Sequence, residues 1–227
     1  MPTPSPVFVA LDVPRKIEAL QLAQLLSPHV GGFKVGLELF CSAGPAIVEE
    51  IGAASVFLDL KFHDIPNTVA GASRAAARLG VKIFNMHCLG GLEMMKAGAT
   101  AAREINGDTK IIGVTVLTSH DAAQLQQIGL AEEPALAVRR LALLAREAEL
   151  DGVVCSPHEI EAVRKECGAD FLLVTPGVRP AGAALGDQKR VMTPQQALQA
   201  GADWLVVGRP ITAAADPARA AAGIMES

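Results

Sequence analysis

The chain has 227 residues, half of them hydrophobic, and a formal net charge of −4. This length and apolar content are sufficient for one large hydrophobic core. The negative charge argues against a protein that binds nucleic acid through a basic surface. No apolar run approaches the roughly 20 residues that cross a bilayer as a helix, so the sequence predicts no membrane partner either.

The cysteines and the first residues indicate the cellular compartment of the protein. The chain has four cysteines, at positions 41, 88, 155 and 167, and they lack the C-x-x-C spacing of common zinc sites. Three lie in or beside apolar segments, which indicates reduced core thiols in a cytoplasmic protein and no metal centre. Residues 1–6 have neither the basic nor the apolar region of a secretory signal, and we predict a short disordered lead-in there.

Eight short apolar segments have the length and composition of β-strands. In chain order they are residues 7–13, 32–37, 56–62, 81–88, 110–118, 152–157, 171–177 and 204–209. Helical patterns alternate with them, and the strongest is the amphipathic segment 135–150, whose apolar stripe is predicted to include Leu136, Leu141, Leu144 and Ala148. Alternating strands and helices in a chain of this length predict a single-domain (β/α)₈ TIM barrel over residues 1–227, with an open doubly wound sheet as the alternative.

Polar residues gather where the predicted strands end. In a TIM barrel these ends form one rim, which carries the chemistry. The rim residues are Asp12, Lys34, Asp59 with Lys61, Asn85 with His87, Thr118, Ser156, Thr175, and Gly208 with Arg209. Taken singly, Asp12 could cap a helix, Lys34 could extend to solvent, and His87 is interpreted as a satisfied core histidine. Together they predict an enzyme site.

The third strand carries the most informative stretch. Residues two apart in a strand share a face, so Phe57, Asp59 and Lys61 point one way and the intervening apolar residues point the other. A second carboxylate, Asp64, follows where the strand ends. Burying two carboxylates beside one lysine is costly unless each charge is paired, which favours a functional site over a structural ion pair.

The motif Asp59-x-Lys61-x-x-Asp64, continued by Ile65-Pro66-Asn67-Thr68, resembles the signature of the orotidine 5′-phosphate decarboxylase family. The first part is shared with related sugar-phosphate enzymes, and the I-P-N-T continuation is more specific. The resemblance covers nearly the whole chain. It implies a TIM barrel that converts orotidine 5′-phosphate (OMP) to UMP and CO₂ in pyrimidine biosynthesis without a cofactor or metal.

The resemblance also implies roles for individual residues. Lys61 would stabilise the carbanion and protonate it, within an alternating array completed by Lys34, Asp59 and Asp64. The substrate-binding positions implied by the family are Asp12 for the ribose, Lys34, Thr118 for the pyrimidine, Arg179, Gln188, Gly208 and Arg209 for the phosphate, and Ile65 and Thr68. In the family, the equivalents of Asp64, Ile65 and Thr68 reach into the neighbouring subunit's site, which implies a homodimer with shared active sites.

The glycine- and alanine-rich segment 179–190 is interpreted as a lid that closes over the phosphate. Two alternatives remain at this point. One is a Mg²⁺-dependent decarboxylase or aldolase that acts on an acyclic sugar phosphate, although such relatives place an acidic ligand where this chain has Lys34. The other is a barrel that binds a nucleotide without catalysis, against which the intact charged array argues, because unused buried charge is costly.

Overall fold

Eight parallel strands close into a barrel in the order of the chain. We describe the protein from a computed structural model over residues 5–180 and 192–225; residues 1–4, 181–191 and 226–227 lie outside the described residues. The strands are β1 (Val7–Ala10), β2 (Gly32–Gly36), β3 (Val56–Phe62), β4 (Ile83–His87), β5 (Lys110–Val114), β6 (Gly152–Val154), β7 (Leu172–Pro176) and β8 (Trp204–Val207). Because β8 pairs with β1, the predicted (β/α)₈ barrel is confirmed and the open sheet is excluded.

Eleven α-helices in the described ranges connect the strands or follow the last of them. They are α1 (Lys16–Leu26), α2 (Leu37–Ala43), α3 (Ala46–Ile51), α4 (Pro66–Arg78), α5 (Gly91–Arg103), α6 (Ala122–Gln127), α7 (Pro134–Glu147), α8 (Ile160–Cys167), α9 (Pro194–Gln199), α10 (Arg209–Thr212) and α11 (Pro217–Gly223). No helix in these ranges is both long and apolar enough to cross a membrane.

Several boundaries differ from the sequence prediction for local reasons. Helix α4 begins at Pro66 rather than near residue 73, because proline suits the first position of a helix and its ring fixes φ there. Leu37 begins helix α2, whereas we predicted it as the last residue of the second strand. The prediction for Leu136 was wrong: it is 51% exposed, and Val138, Leu141 and Ala145 form the buried face of α7 instead.

The hydrophobic core has two layers. The larger cluster lies between the strands and the surrounding helices, and it takes Val56 and Leu58 from β3. The smaller cluster fills the barrel itself with Phe8, Ala10, Phe57, Ile83, Ile112, Val174 and Val206. The predicted alternation of β3 is therefore confirmed. Each buried Val, Leu, Ile or Phe side chain contributes about 1.5–3 kcal/mol.

Aromatic rings fill the amino-terminal end of the barrel. The ring of Phe8 meets those of Phe57 and Trp204 edge to face, with centroids 6.2 and 5.6 Å apart. The ammonium of Lys82 lies 5.4 Å from the Phe8 ring centroid and 5.5 Å from that of Trp204. This end is packed with side chains, which leaves the carboxyl ends of the strands for chemistry.

Three of the four cysteines are buried, as the sequence predicts, and the end of the predicted lead-in contacts the barrel. All four cysteines are free thiols; Cys88, Cys155 and Cys167 are buried, whereas Cys41 is exposed. Burial raises the pKa of Cys88 to about 12. Of the predicted lead-in, Pro6 lies against the barrel, since its carbonyl accepts a hydrogen bond from the Leu205 N–H at 2.9 Å. Residues 1–4 are outside the described ranges.

Candidate active site

Four charged side chains, from β2, from β3 and from the segment that follows β1, form a chain at the carboxyl rim. The Lys34 Nζ lies 3.0 Å from Asp12 Oδ1 and 3.3 Å from Asp59 Oδ2. The other oxygen of Asp59, Oδ1, lies 2.6 Å from the Lys61 Nζ. Charges therefore alternate along Asp12, Lys34, Asp59 and Lys61, and each ammonium group contacts at least one carboxylate.

Burial and charge compete at the centre of this array. Burial acts to raise the pKa of Asp59, but the nearby charges of Lys34 and Lys61 outweigh it, so the pKa lies below its ordinary value. Burial likewise acts to lower the pKa of Lys34, and the charges of Asp59 and Asp12 leave it above its ordinary value. Both groups are thus ionised at neutral pH, because each supplies the charge that the other requires.

Asn85 connects the two reactive positions of β3, and sequence reasoning gave it no role beyond a polar rim residue. Its Nδ2 donates to Asp59 Oδ1 at 2.7 Å, and its Oδ1 accepts from the Lys61 backbone N–H at 2.8 Å. Lys61 has φ 51°, in the left-handed region. That conformation costs a residue with a Cβ about 1–2 kcal/mol, so contacts must hold it.

A cavity of about 170 Å³ opens beside the array. It is lined by Lys34, Phe57, Asp59, Lys61, Asn85, Val114, Val116, Leu117, Thr118, Val154, Pro176 and Val206. The charged groups lie on one side and apolar groups on the other, which suits a flat ring that carries a polar substituent. Thr118 belongs to this lining, as the sequence predicts, although it lies beyond the end of β5.

The second half of the β3 motif does not join the array within one chain. Asp64, Ile65 and Thr68 are all exposed on the rim. The Asp64 Oδ1 accepts a hydrogen bond from the Ile65 N–H at 2.6 Å. Ile65 is 67% exposed although it is apolar, so the segment between β3 and α4 presents an uncovered apolar side chain.

The predicted phosphate-binding residues are only partly described. Gly208 lies between β8 and α10, and Arg209 begins α10 with an exposed side chain. Arg179 follows β7 and is largely buried, and its Nη1 donates to the Val178 carbonyl at 2.9 Å. Gln188 and the greater part of the predicted lid lie outside the described residues.

Two histidines stand near the array. The rings of His63 and His87 have centroids 5.4 Å apart. Burial, followed by the charges of His63 and Lys61, lowers the pKa of His87 to about 4, so this side chain is neutral at pH 7. Its buried Nδ1 has no hydrogen-bond partner among the described residues, so the interpretation as a satisfied core histidine was wrong.

The donor set next to the cavity differs from that of a typical metal site. Among residues 5–180 and 192–225, no group of three or more His, Cys, Asp and Glu side chains is arranged to hold a metal ion. Asp12 and Asp59, the carboxylates of the array, are both engaged by the Lys34 ammonium. The array is therefore built to organise ammonium groups around a substrate.

Comparison with known proteins agrees with the motif. The family model described as Orotidine 5′-phosphate decarboxylase / HUMPS family matches residues 5–224. An orotidine 5′-phosphate decarboxylase of Halorhodospira halophila is 59% identical over 99% of this chain and 96% of its own length. One of Moorella thermoacetica is 56% identical, over 96% of this chain and 90% of its own.

A solved structure shares the architecture as well. The crystal structure of an orotidine 5′-phosphate decarboxylase from Lactobacillus acidophilus is 38% identical, covers 98% of both chains, and superposes with a TM-score of 0.84. The family match spans nearly all of the chain, and the curated relatives exceed half identity over nearly their full length. The chain therefore belongs to the Orotidine 5′-phosphate decarboxylase / HUMPS family.

Proposed function

We propose that this chain removes CO₂ from orotidine 5′-phosphate to give UMP, the last step in making that pyrimidine nucleotide. The observation that carries the proposal is the alternating array Asp12, Lys34, Asp59 and Lys61 beside a small cavity. The names of the curated relatives support the same activity. No cofactor has a role in this proposal.

The reaction breaks the bond between C6 of the pyrimidine and its carboxylate carbon. The electron pair stays on C6, CO₂ leaves, and a proton must then reach C6. Lys61 is suited to both needs, because its ammonium can stabilise the developing negative charge and then supply the proton. The neutral amine regains a proton from solvent, to which the Lys61 side chain is 30% exposed.

Asp59 serves in this scheme to hold the two ammonium groups in place. Its carboxylate oxygens are divided between Lys61 and Lys34, so it fixes both while keeping them charged. Positioning is thus a sufficient role for Asp59, although its carboxylate would also face the departing one. Asp12, whose carboxylate is paired with the Lys34 ammonium, binds the ribose, and Thr118 contacts the pyrimidine.

The phosphate would bind where β8 meets α10. The backbone N–H groups near Gly208 and the Arg209 guanidinium form a suitable cradle at a rim position that TIM barrels commonly use. Arg179 and Gln188 complete the proposed phosphate-binding site. Binding energy from this remote group would help to close the segment 179–190 and so lower the chemical barrier.

The proposed working unit is a homodimer in which each site uses residues of both chains. Asp64, Ile65 and Thr68 are exposed after the end of β3 and in the first turn of α4, where a partner chain would reach them. Covering Ile65 would bury an apolar side chain that is otherwise in water. A cytoplasmic location also belongs to the proposal, since the four free thiols suit a reducing compartment.

A direct assay separates this function from its rivals. We expect purified protein to convert OMP to UMP in the presence of EDTA, which would be followed by the loss of ultraviolet absorbance and by detection of UMP. A Mg²⁺-dependent sugar-phosphate enzyme would leave OMP unchanged and would require the metal for its own substrate. A nucleotide-binding barrel would bind UMP in calorimetry without turnover. Either of these results would refute the proposed reaction.

The phosphate assignment predicts the effect of Arg209→Ala. Loss of the guanidinium should weaken OMP binding by about 2–5 kcal/mol, the usual cost of removing one partner of a desolvated charge pair. For orotidine, which lacks the phosphate, kcat/KM should be low and nearly equal in both proteins. Arg78→Ala is a matched control, because Arg78 is exposed in the last turn of α4, away from the rim. A large effect of Arg209→Ala on orotidine would contradict the assignment.

A further inference from the structure

The pairing of β3 with β4 is irregular at the reactive residues. Leu58 lies opposite Phe84, and Phe62 lies opposite Met86. Between these pairs, three residues of β3 (59–61) face a single residue of β4, Asn85. A regular parallel ladder would pair residues one to one, so the backbone of β3 bulges here and cannot complete its hydrogen bonds through the ladder.

The side chain of Asn85 makes the contacts that the ladder lacks. It is 1% exposed, and both ends of its amide are used. The carbonyl oxygen accepts from the Lys61 N–H, and the amino group donates to Asp59. The partners fix the orientation of the amide, because a flipped amide would place its amino group against an N–H and its oxygen against a carboxylate.

We propose that Asn85 is a positioning residue that holds Lys61 in its left-handed conformation and fixes Asp59 as its partner. The consequence is the 2.6 Å contact between Lys61 Nζ and Asp59 Oδ1. In an extended strand the backbones of residues two apart are about 6.6 Å from one another and their side chains run in parallel. The bulge turns the lysine back toward the carboxylate, and Asn85 is what stabilises the bulge.

The catalytic consequence of this inference rests on the proposed decarboxylation. Its structural consequence, the conformation of Lys61, rests on geometry alone. Without the Asn85 amide, the Lys61 N–H loses its acceptor. The chain would relax toward ordinary strand angles and carry the ammonium away from C6. A displacement of about 1 Å at a reacting group can cost about 100-fold in rate.

The kinetic test compares Asn85→Ala with a matched buried variant. Thr109→Val also removes a buried hydrogen bond, from Thr109 Oγ1 to the Val81 carbonyl, but these residues precede β5 and β4 at the opposite end of the barrel. We expect Asn85→Ala to lower kcat for OMP about 100-fold while KM and the affinity for UMP change by less than about threefold. Thr109→Val should lower the melting temperature and keep kcat per folded molecule. Equal kcat in the two variants would overturn the proposal.

Two structural measurements do not depend on the substrate. A crystal structure of Asn85→Ala should show Lys61 at negative φ, with its Nζ no longer on Asp59. In the wild-type protein, NMR should show the Lys61 amide protected from hydrogen exchange, although it lies at the rim. Retention of the left-handed Lys61 in the variant would refute the proposal, as would wild-type exchange as fast as at the exposed His63.

The two proposals fail in different ways. If the wild-type protein leaves OMP unchanged, the proposed function is wrong, and the conformation of Lys61 in the variant still decides the role of Asn85. If the wild-type protein decarboxylates OMP and Asn85→Ala does so equally well, only the role of Asn85 is wrong. If Asn85→Ala fails to fold, hydrogen exchange of the Lys61 amide in the wild-type protein decides the role of Asn85.

Discussion

The Lys61→Ala variant is expected to fold and to lose OMP decarboxylation by about 10⁴- to 10⁷-fold. A general acid typically contributes about 10²–10⁴ and a preorganised charge about 10²–10³ to the rate, and this substitution removes both. Folding should survive because Asp59 keeps two partners, Lys34 at 3.3 Å and Asn85 at 2.7 Å. Single-turnover kinetics and thermal unfolding would measure the two effects separately.

The control for this variant is Lys82→Ala. Lys82 also places its ammonium near the barrel axis, but at the amino-terminal end, over Phe8 and Trp204. Its removal should cost some stability and no turnover. UMP affinity in Lys61→Ala should fall far less than the rate. If Lys61→Ala kept even a tenth of the wild-type turnover, the role assigned to this residue would have to be abandoned.

The second large effect is the recovery of activity in a mixed dimer. Lys61→Ala and Asp64→Ala homodimers should each be nearly inactive if Asp64 works in the partner's site. A heterodimer of the two has one site with both lesions and one site with neither. With equal amounts and random pairing, half of the dimers are mixed, so about a quarter of wild-type activity should return when subunits are co-expressed.

Proof that heterodimers formed has to accompany this measurement, for example through different affinity tags on the two variants. Asp64 is exposed, and its Oδ1 accepts a hydrogen bond from the Ile65 N–H of the same chain. Because it is exposed, a partner chain can reach its carboxylate. If tagged heterodimers are isolated and remain inactive, Asp64 acts within its own chain or has no catalytic role, and the shared site is wrong.

The sequence predicted the features that depend on local periodicity. Alternation in β3 placed Phe57, Asp59 and Lys61 on the inner face, because a strand repeats every two residues regardless of its neighbours. The barrel was predicted from eight alternating strand–helix units. The position of the site was predicted from the rule that chemistry in a TIM barrel lies at the carboxyl ends of the strands. Asp12 and Lys34 were found because charged residues at the ends of apolar segments are conspicuous in the sequence.

The features that the sequence did not predict depend on the register between elements. Nothing in the composition of β3 shows that three of its residues face only Asn85, since that follows from how β4 pairs with it. The left-handed φ of Lys61 has the same origin. Leu136 was assigned to the buried face of α7 because it is apolar, but it lies five residues before Leu141, and that separation places it on another face of the helix.

The bulge in β3 also determines where the chain can change in length. Deleting one residue between Leu58 and Phe62 would reverse the faces of the residues beyond the deletion, so the lysine and its carboxylate could not both face the cavity. The connection between β5 and α7 is bound by no strand pairing, and doubling a flexible loop costs only about 0.6 kcal/mol. Insertions and deletions among related sequences should therefore collect around α6 and spare β3.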